Sequence, residues 1–470
     1  MRRIYKILFC IALAGFQGCS FLEVEKFGKS DIETFFSDVD GLRSGLAGSY
    51  RLLYNFYDGE FSEYPEVAAD MLYLSNSEGV SIADQYNYTS DPAQETGAVG
   101  YIWRDGLEII GNVNNILQYA PDLKEKYPGN AAEIELIRAQ ALYIRALVHL
   151  NLCCCYGQHY TYTPDASHWG VPNLSILPSA NDPVLRASVY DVYNKRIIPD
   201  LEEAIGIFGS TTMDCYHASA TACEALLARV YLYMEQWQKA SDYATTVIAK
   251  VPLTSYENYV NMYVNIETGS EAIFRLNGFR ASKDLWKFYD PVSPIARPAD
   301  TLYTFFDQPD DIRLELLYAT KDEVKTKACR KFYVAKDVVE DDKHYDPFVL
   351  RVSEMYLIRA EANCYLPGGE TTAANDIKAL QAKQPSEINL VYSSVEDLLK
   401  LVEKERIKEL CFEGHRLFDI TRKKQNMVRE SSTNSIVKIK TYPNDWFVLP
   451  IPMDEIEANP EIQLNPGVNY

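Results

Sequence analysis

Residues 405 to 422 read Glu405-Arg406-Ile407-Lys408-Glu409-Leu410-Cys411-Phe412-Glu413-Gly414-His415-Arg416-Leu417-Phe418-Asp419-Ile420-Thr421-Arg422. Just before them Ser394 stands three residues ahead of Asp397, a capping arrangement for a helix, and Leu398, Leu399, Val402 and Leu410 mark the buried side of that helix. Gly414 then breaks it. Acids and bases alternate within a few turns, and Glu409 and Glu413 are the residue types that glycosidases use as an acid and base pair. Carboxylates one turn apart on a single helix point the same way, however, rather than facing each other across a bond. The neighbouring arginines also keep both ionised. The stretch therefore reads as an ion network that fixes the last helices.

Upstream, apolar residues fall at Ile134, Ile137, Ala141, Ile144 and Val148, one face of a helix. Leu226, Val230 and Met234 repeat that spacing, and after Glu235-Gln236 it resumes at Trp237, Ala240, Ala244, Val247 and Ile248, which predicts a helical hairpin. The run Ile137-Arg138-Ala139-Gln140-Ala141 is echoed by Ile358-Arg359-Ala360-Glu361-Ala362 and more loosely by Leu227-Ala228-Arg229-Val230-Tyr231. Small alanines let paired helices approach and aromatics such as Tyr231 and Trp237 fill the groove beside them, as tetratricopeptide-type hairpins stack. The intervals are irregular, so the chain is not a plain solenoid. The expected class is mostly α, with helical scaffold near 104–157, 187–250 and 351–422.

Two long inserts, near 58–103 and 253–350, lack a sustained helical period. They are rich in Tyr, Phe, Asn, Asp, Gly and Pro, the composition of irregular loops with short strands. Loops of that length in a compact protein carry function.

Met1 to Lys6 hold Arg2, Arg3 and Lys6, and Ile7 to Phe16 are almost wholly apolar, the opening of a secretory signal. This apolar run is shorter than the about 20 residues that span a bilayer. In Phe16-Gln17-Gly18-Cys19 a small residue precedes a cysteine, resembling the lipobox of bacterial lipoproteins, although Phe16 and Gln17 stand where Leu and a small residue are usual. Residues 1–18 are read as a lipoprotein-type signal peptide, removed on export, with lipid attached to Cys19. Their removal takes away three bases and no acid, so the charge moves from -20 to -23. A chain so acidic, without a Lys/Arg-rich run, does not suit nucleic acid, and anionic headgroups repel it, so lipid must do the anchoring. Of the ten cysteines, Cys153, Cys154 and Cys155 are adjacent, and Cys223, Cys364 and Cys411 sit among helical apolar residues. None has the spacing of a zinc site, and buried free thiols are expected.

The run from Glu405 to Arg422 closely resembles the signature "ER-x-x-EL-x-FEG-x-R-x-x-D-x-x-R" of SusD/RagB outer-membrane lipoproteins. The ending, Leu449-Pro450-Ile451-Pro452, Glu455-Ile456, Asn459-Pro460 and Asn465-Pro466-Gly467, is similar to that family's close, except that Gln463 stands two before Asn465 and Val468 follows Gly467. Asp200-Leu201-Glu202-Glu203-Ala204, the hairpin at 219–250, Asp311-Ile312-Arg313 and Glu354 to Ala362 match as well. The resemblance implies one SusD-like domain over 19–470, a helical scaffold of tetratricopeptide-type hairpins displayed at the surface of a Gram-negative outer membrane. It also implies a non-catalytic protein without a cofactor that captures a glycan and passes it to a TonB-dependent, SusC-like transporter.

A sugar offers an apolar C–H face and a rim of hydroxyls, which calls for flat aromatics beside Asn, Asp, Arg or Gln. The chain has 34 tyrosines against five tryptophans. In the first insert the expected ligand residues are Tyr86 and Tyr88 with Asn76 and Asn87; in the second, Arg280, Trp286, Phe288 and Tyr289. Trp103, expected to precede a helix running to Ile116, is read with Trp169, Trp237 and Trp446 as structural, and His149, His159 and His168 form no metal set. A structural calcium ion in one insert stays open at this point. So do a glycoside hydrolase using Glu409 and Glu413, or Asp284 and Asp290, and a binder of peptide instead of glycan.

Overall fold

The period at 134–148 becomes the second arm of a long helical hairpin, α3 (Ala98–Lys126) and α4 (Ala131–Tyr156), joined by a single tight turn at Pro128–Asn130. From Ala139 to Tyr156 every residue of α4 but Cys154 is buried, so this helix is enclosed on all sides and forms the centre of the core. Ile144 is fully buried, which contributes about 1.5–3 kcal/mol relative to an exposed position. The computed structural model describes residues 31–75, 82–93, 97–175, 183–264, 271–278, 284–290, 293–321, 324–332, 345–383, 390–468 and 470. Ahead of the hairpin come α1 (Val39–Tyr57), capped by Asp38, which accepts from the Gly41 amide at 2.9 Å, and α2 (Glu60–Val67). Helix α3 starts at Ala98, so Trp103 lies inside it, edge-on to Tyr156, rather than ahead of it.

Each later helix packs on the one before. Helix α4 packs on α5 (Ile198–Phe208), α5 on α6 (Ala220–Tyr233), α6 on α7 (Trp237–Ile248), and α7 on α8 (Val352–Tyr365). Helices α9 (Glu370–Gln381) and α10 (Val395–Leu410) then pack on α8 and enclose a satellite core around Leu357, Ile377, Leu398 and Val402. The predicted cap is present: Ser394 accepts from the Asp397 amide at 3.1 Å. Helix α10 ends at Leu410, ahead of the expected break at Gly414, so Glu413 lies in the turn after it and does not share a helix with Glu409; a short α11 (Arg416–Arg422) follows.

The repeated motif repeats a function as well as a spacing. Arg138 of α4 bonds Glu203 of α5, and Arg359 of α8 bonds Asp376 of α9 at 2.6 and 2.9 Å, so both copies tie a helix to its successor. The alanines beside them, Ala139, Ala141, Ala360 and Ala362, are fully buried, as close helix approach requires. Deeper pairs reinforce the scaffold. Arg145 donates to both oxygens of Asp200 at 2.7 and 2.8 Å, and Arg229 to both of Glu354 at 2.7 Å.

The strands are short antiparallel ribbons: β1 (Leu72–Leu74) with β3 (Ala296–Pro298), β2 (Ala272–Arg275) with β6 (Phe348–Arg351), β4 (Tyr318–Lys321) with β5 (Val324–Lys327), and β7 (Met427–Val428) with β8 (Ile439–Lys440). The β2·β6 ribbon is the neck of the second insert, and β1·β3 joins the two inserts. The inserts are less irregular than their composition suggests, since the first contains α2 and a short helix at Ala83–Asn87. Cys153 to Cys155, Cys215, Cys223, Cys329, Cys364 and Cys411 are free thiols. Among the described residues no helix is long and apolar enough to cross a membrane.

Candidate binding site

The charged stretch at 405–422 is a buried clamp on both inserts. Arg351, at the neck, donates to Glu409 at 2.6 Å, Glu413 at 2.8 Å and Glu271 at 2.7 Å. Arg313 holds Asp311 through two bonds and also reaches Glu405 and Glu409. Lys331 reaches Glu413, and Lys383 reaches Glu409 at 2.7 Å. Burial pushes the Glu413 carboxyl up, but Arg351 and Lys331 outweigh it and hold it at about 2. From the first insert, the Glu66 carboxylate accepts from the amides of Phe412, Gly414 and His415 at 3.2, 2.9 and 3.0 Å, and Asp70 accepts two bonds from Arg416. This turn needs left-handed backbone at Phe412 and Gly414, with φ of +66° and +80°. Glu409 is fully buried and every described neighbour that charges it is a base, so it has neither the solvent nor the proton of a general acid.

Most of the aromatics expected to meet ligand turn out to fasten the inserts down. Tyr86 and Tyr88 are buried around Arg429, whose guanidinium lies over the Tyr86 ring at 4.4 Å and bonds the carbonyls of Val67, Ala69, Tyr86 and Val437. The Tyr86 hydroxyl bonds Thr433 and Asn434, that of Tyr88 donates to the Ala68 carbonyl, and the Asn87 side chain accepts from Ser435 and the Ile436 amide. Phe288 and Tyr289 are also core: Tyr289 stacks on Phe332 at 5.4 Å and meets Phe412 at 5.6 Å. Trp286 is partly buried against the same core, and its amide donates to the Tyr345 hydroxyl. A ring with no exposed face cannot stack on a sugar, which corrects the expectation for Tyr86, Tyr88, Phe288 and Tyr289. Asn76, Arg280 and Cys19 lie outside the described residues.

What the inserts bring together at the surface is a different set. In β1·β3, Tyr73 is paired with Arg297, both half-buried between inward neighbours, and the Arg297 guanidinium sits 4.3 Å over the Tyr73 ring. The chain continues into a helical turn at Asp300–Tyr303, where Tyr303 lies 4.9 Å from Tyr318 of β4. Lys325 lies 4.0 Å over Tyr318, and Lys327 lies 5.1 Å over Tyr303 and bonds Asp300. The Tyr303 hydroxyl donates to the Leu317 carbonyl at 2.6 Å; burial pushes its ionisation well up, with Arg297 pulling the other way. This surface joins flat apolar rings to planar and tetrahedral N–H donors, the combination that suits a sugar face and its hydroxyl rim. Sequence reading missed these residues because Leu72-Tyr73-Leu74 and Ala296-Arg297-Pro298 alternate in and out over only three residues each, too short a run to stand out as period two.

No metal-binding cluster of His, Cys, Asp or Glu occurs among the described residues. His149 and His415 are buried, and burial holds them at about 3 and about 4.

Comparison with known proteins covers both ends of the chain. Residues 320–467 match the sequence profile described as the SusD family, and residues 20–232 match that described as starch-binding associating with outer membrane. The SusD-like protein P2 of Formosa agariphila is 23% identical, with 98% of this chain and 99% of that protein covered. Crystal structures of SusD superfamily proteins from Bacteroides thetaiotaomicron and Bacteroides vulgatus superpose with TM-scores of 0.81 and 0.79, at 25% and 24% identity, covering 91% and 92% of this chain and 100% of theirs. A SusD-like carbohydrate binding protein of Bacteroides vulgatus gives 0.75 at 21% identity, covering 90% of this chain and 97% of that one.

Proposed function

Because this chain belongs to the SusD/RagB family, we propose that it is a lipid-anchored glycan-binding protein of the outer-membrane surface that captures an oligosaccharide and passes it to a SusC-like, TonB-dependent transporter. The observation that carries the reading is the β1·β3 ribbon: the two inserts meet there, and Tyr73, Arg297, Tyr303 and Tyr318 form an aromatic surface studded with N–H donors. Stacking and planar donors give contact at small cost in side-chain freedom. The buried, base-saturated carboxylates at 405–419 favour capture without cleavage.

Anchoring rests on Cys19 and on the apolar segment before it. Cys19→Ala is expected to leave the membrane fraction while still folding and binding; a variant that stays membrane-bound contradicts lipid attachment there. Glycan capture is tested by presenting the mature chain with an oligosaccharide panel while chromatography follows the sugar. Saturable binding without product is expected. Binding of peptides but no glycan, or time-dependent cleavage, contradicts the reading.

A further inference from the structure

We propose a second saccharide subsite, in the groove where the ends of α6, α7, α8, α10 and α11 meet, that takes a neutral sugar unit against the ring of Tyr365. The inference rests on the glycan-binding reading above and adds a site remote in sequence from both inserts. The groove is a cavity of about 280 Å³. On one wall Trp237 stacks on Tyr365 with centroids 4.1 Å apart and planes 12° from parallel, and Tyr365 remains 50% exposed. One aromatic backs another that is held flat and open to solvent, a rigid platform for a C–H face.

The polar wall is made of hydroxyl-binding groups. Glu235, Glu403, Lys400, Lys423, Lys424 and Gln425 line it, and with Glu361, Glu396 and Arg422 its four acids are matched by four bases. In a chain of net charge -20, a wall without net charge favours an uncharged ligand over an anionic one.

The backbone gives an independent sign. Glu235 and Lys424 are left-handed, with φ of +55° and +56°, and each occupies the glycine position of a helix C-terminal motif. At the end of α6 the Glu235 amide donates to Leu232 and that of Gln236 to Tyr231; at the end of α11 the Lys424 amide donates to Thr421 and that of Gln425 to Ile420. Glycine would hold either turn without strain. The two side chains face each other across the groove, Lys424 Nζ 4.0 Å from Glu235 Oε1, and both are more than 40% exposed. An exposed pair at that distance offsets little of the strain. Thr161 donates to Glu235 at 2.9 Å and Gln425 to Glu403 at 3.2 Å, so both carboxylates at the groove are held in place. Side chains kept where the fold favours glycine, and lining the same cavity as an open aromatic platform, indicate a ligand.

The experiment is isothermal titration of the mature chain with maltoheptaose, cellohexaose, mannohexaose and xylohexaose. At least one sugar is expected to fill two sites per chain. Tyr365→Ala should weaken one site by about tenfold or more and leave the other unchanged, whereas Arg297→Ala should do the reverse. Glu235→Gly and Lys424→Gly give a reading that a structural role does not: each should raise the melting temperature yet weaken the Tyr365 site. The proposal is overturned, with the main reading intact, if the wild type has one site that Arg297→Ala abolishes, or if Tyr365→Ala or the glycine variants bind as the wild type does. If no sugar binds the wild type, both readings fall together.

Discussion

Arg351 shows how much of this molecule turns on single buried charges. Its guanidinium is matched by Glu271 and Glu409, both fully buried, and by Glu413, whose side chain is nearly so. A buried pair adds little compared with a well-packed apolar substitute, but removing one partner strands the rest. Arg351→Met is therefore expected to cost about 3–5 kcal/mol in urea unfolding, the range for an uncompensated buried charge. A change below about 1 kcal/mol would mean that the clamp is not holding the inserts. The same residues mark the limit of what the sequence tells. Glu409 and Glu413 were legible as a network because eighteen consecutive residues carried the pattern. Tyr86 and Tyr289 were misjudged because composition reports that an insert is aromatic and not which rings face inward; only their partners, Arg429 and Phe332, decide that.

At the scale of elements, the segment from β7 to β8 depends on one side chain. Arg429 bonds four carbonyls from three parts of the chain and lies over the rings of Tyr86 at 4.4 Å and Tyr88 at 5.7 Å. The first insert and the 427–440 ribbon are thus one cooperative unit. Arg429→Ala should raise amide exchange selectively in residues 82–88 and 429–441 while the hairpin of α3 and α4 stays protected; a uniform rise across the chain, or none, would contradict this. The scaffold elements were readable, since helices of a dozen residues or more repeat their period several times. The β1·β3 ribbon was not, since strands of three residues pair across more than two hundred positions and leave no local trace.

For the whole molecule the buried ionisable groups set a direction for pH. Glu361 and Glu413 are held at about 2, against 4.5 unfolded, by Arg422 and by Arg351 with Lys331, each overcoming burial. Their stabilisation is present above 4.5 and is lost as pH falls towards 2. His149 and His415, at about 3 and about 4 against 6.5 unfolded, are buried neutral, so acid favours the unfolded chain from about pH 6.5 downward. Glu66 acts oppositely: raised by burial to about 7, it stabilises below 4.5 and loses that contribution as pH rises through 7. With depressed groups in the majority, unfolding free energy should decline from near neutrality and fall most steeply below pH 4.5; a stability maximum below pH 4 would contradict the network. Of these groups Glu413 and Glu66 belong to the clamp that sets the two inserts edge to edge, and ligand capture is assigned to their shared edge. The most direct measurement is the affinity of Tyr73→Ala and Arg297→Ala for the oligosaccharide that the mature chain binds best. A loss of about tenfold or more is expected in each, with melting temperature unchanged and no sugar cleaved by any variant. Wild-type affinity in both, or cleavage of the bound sugar, would contradict it.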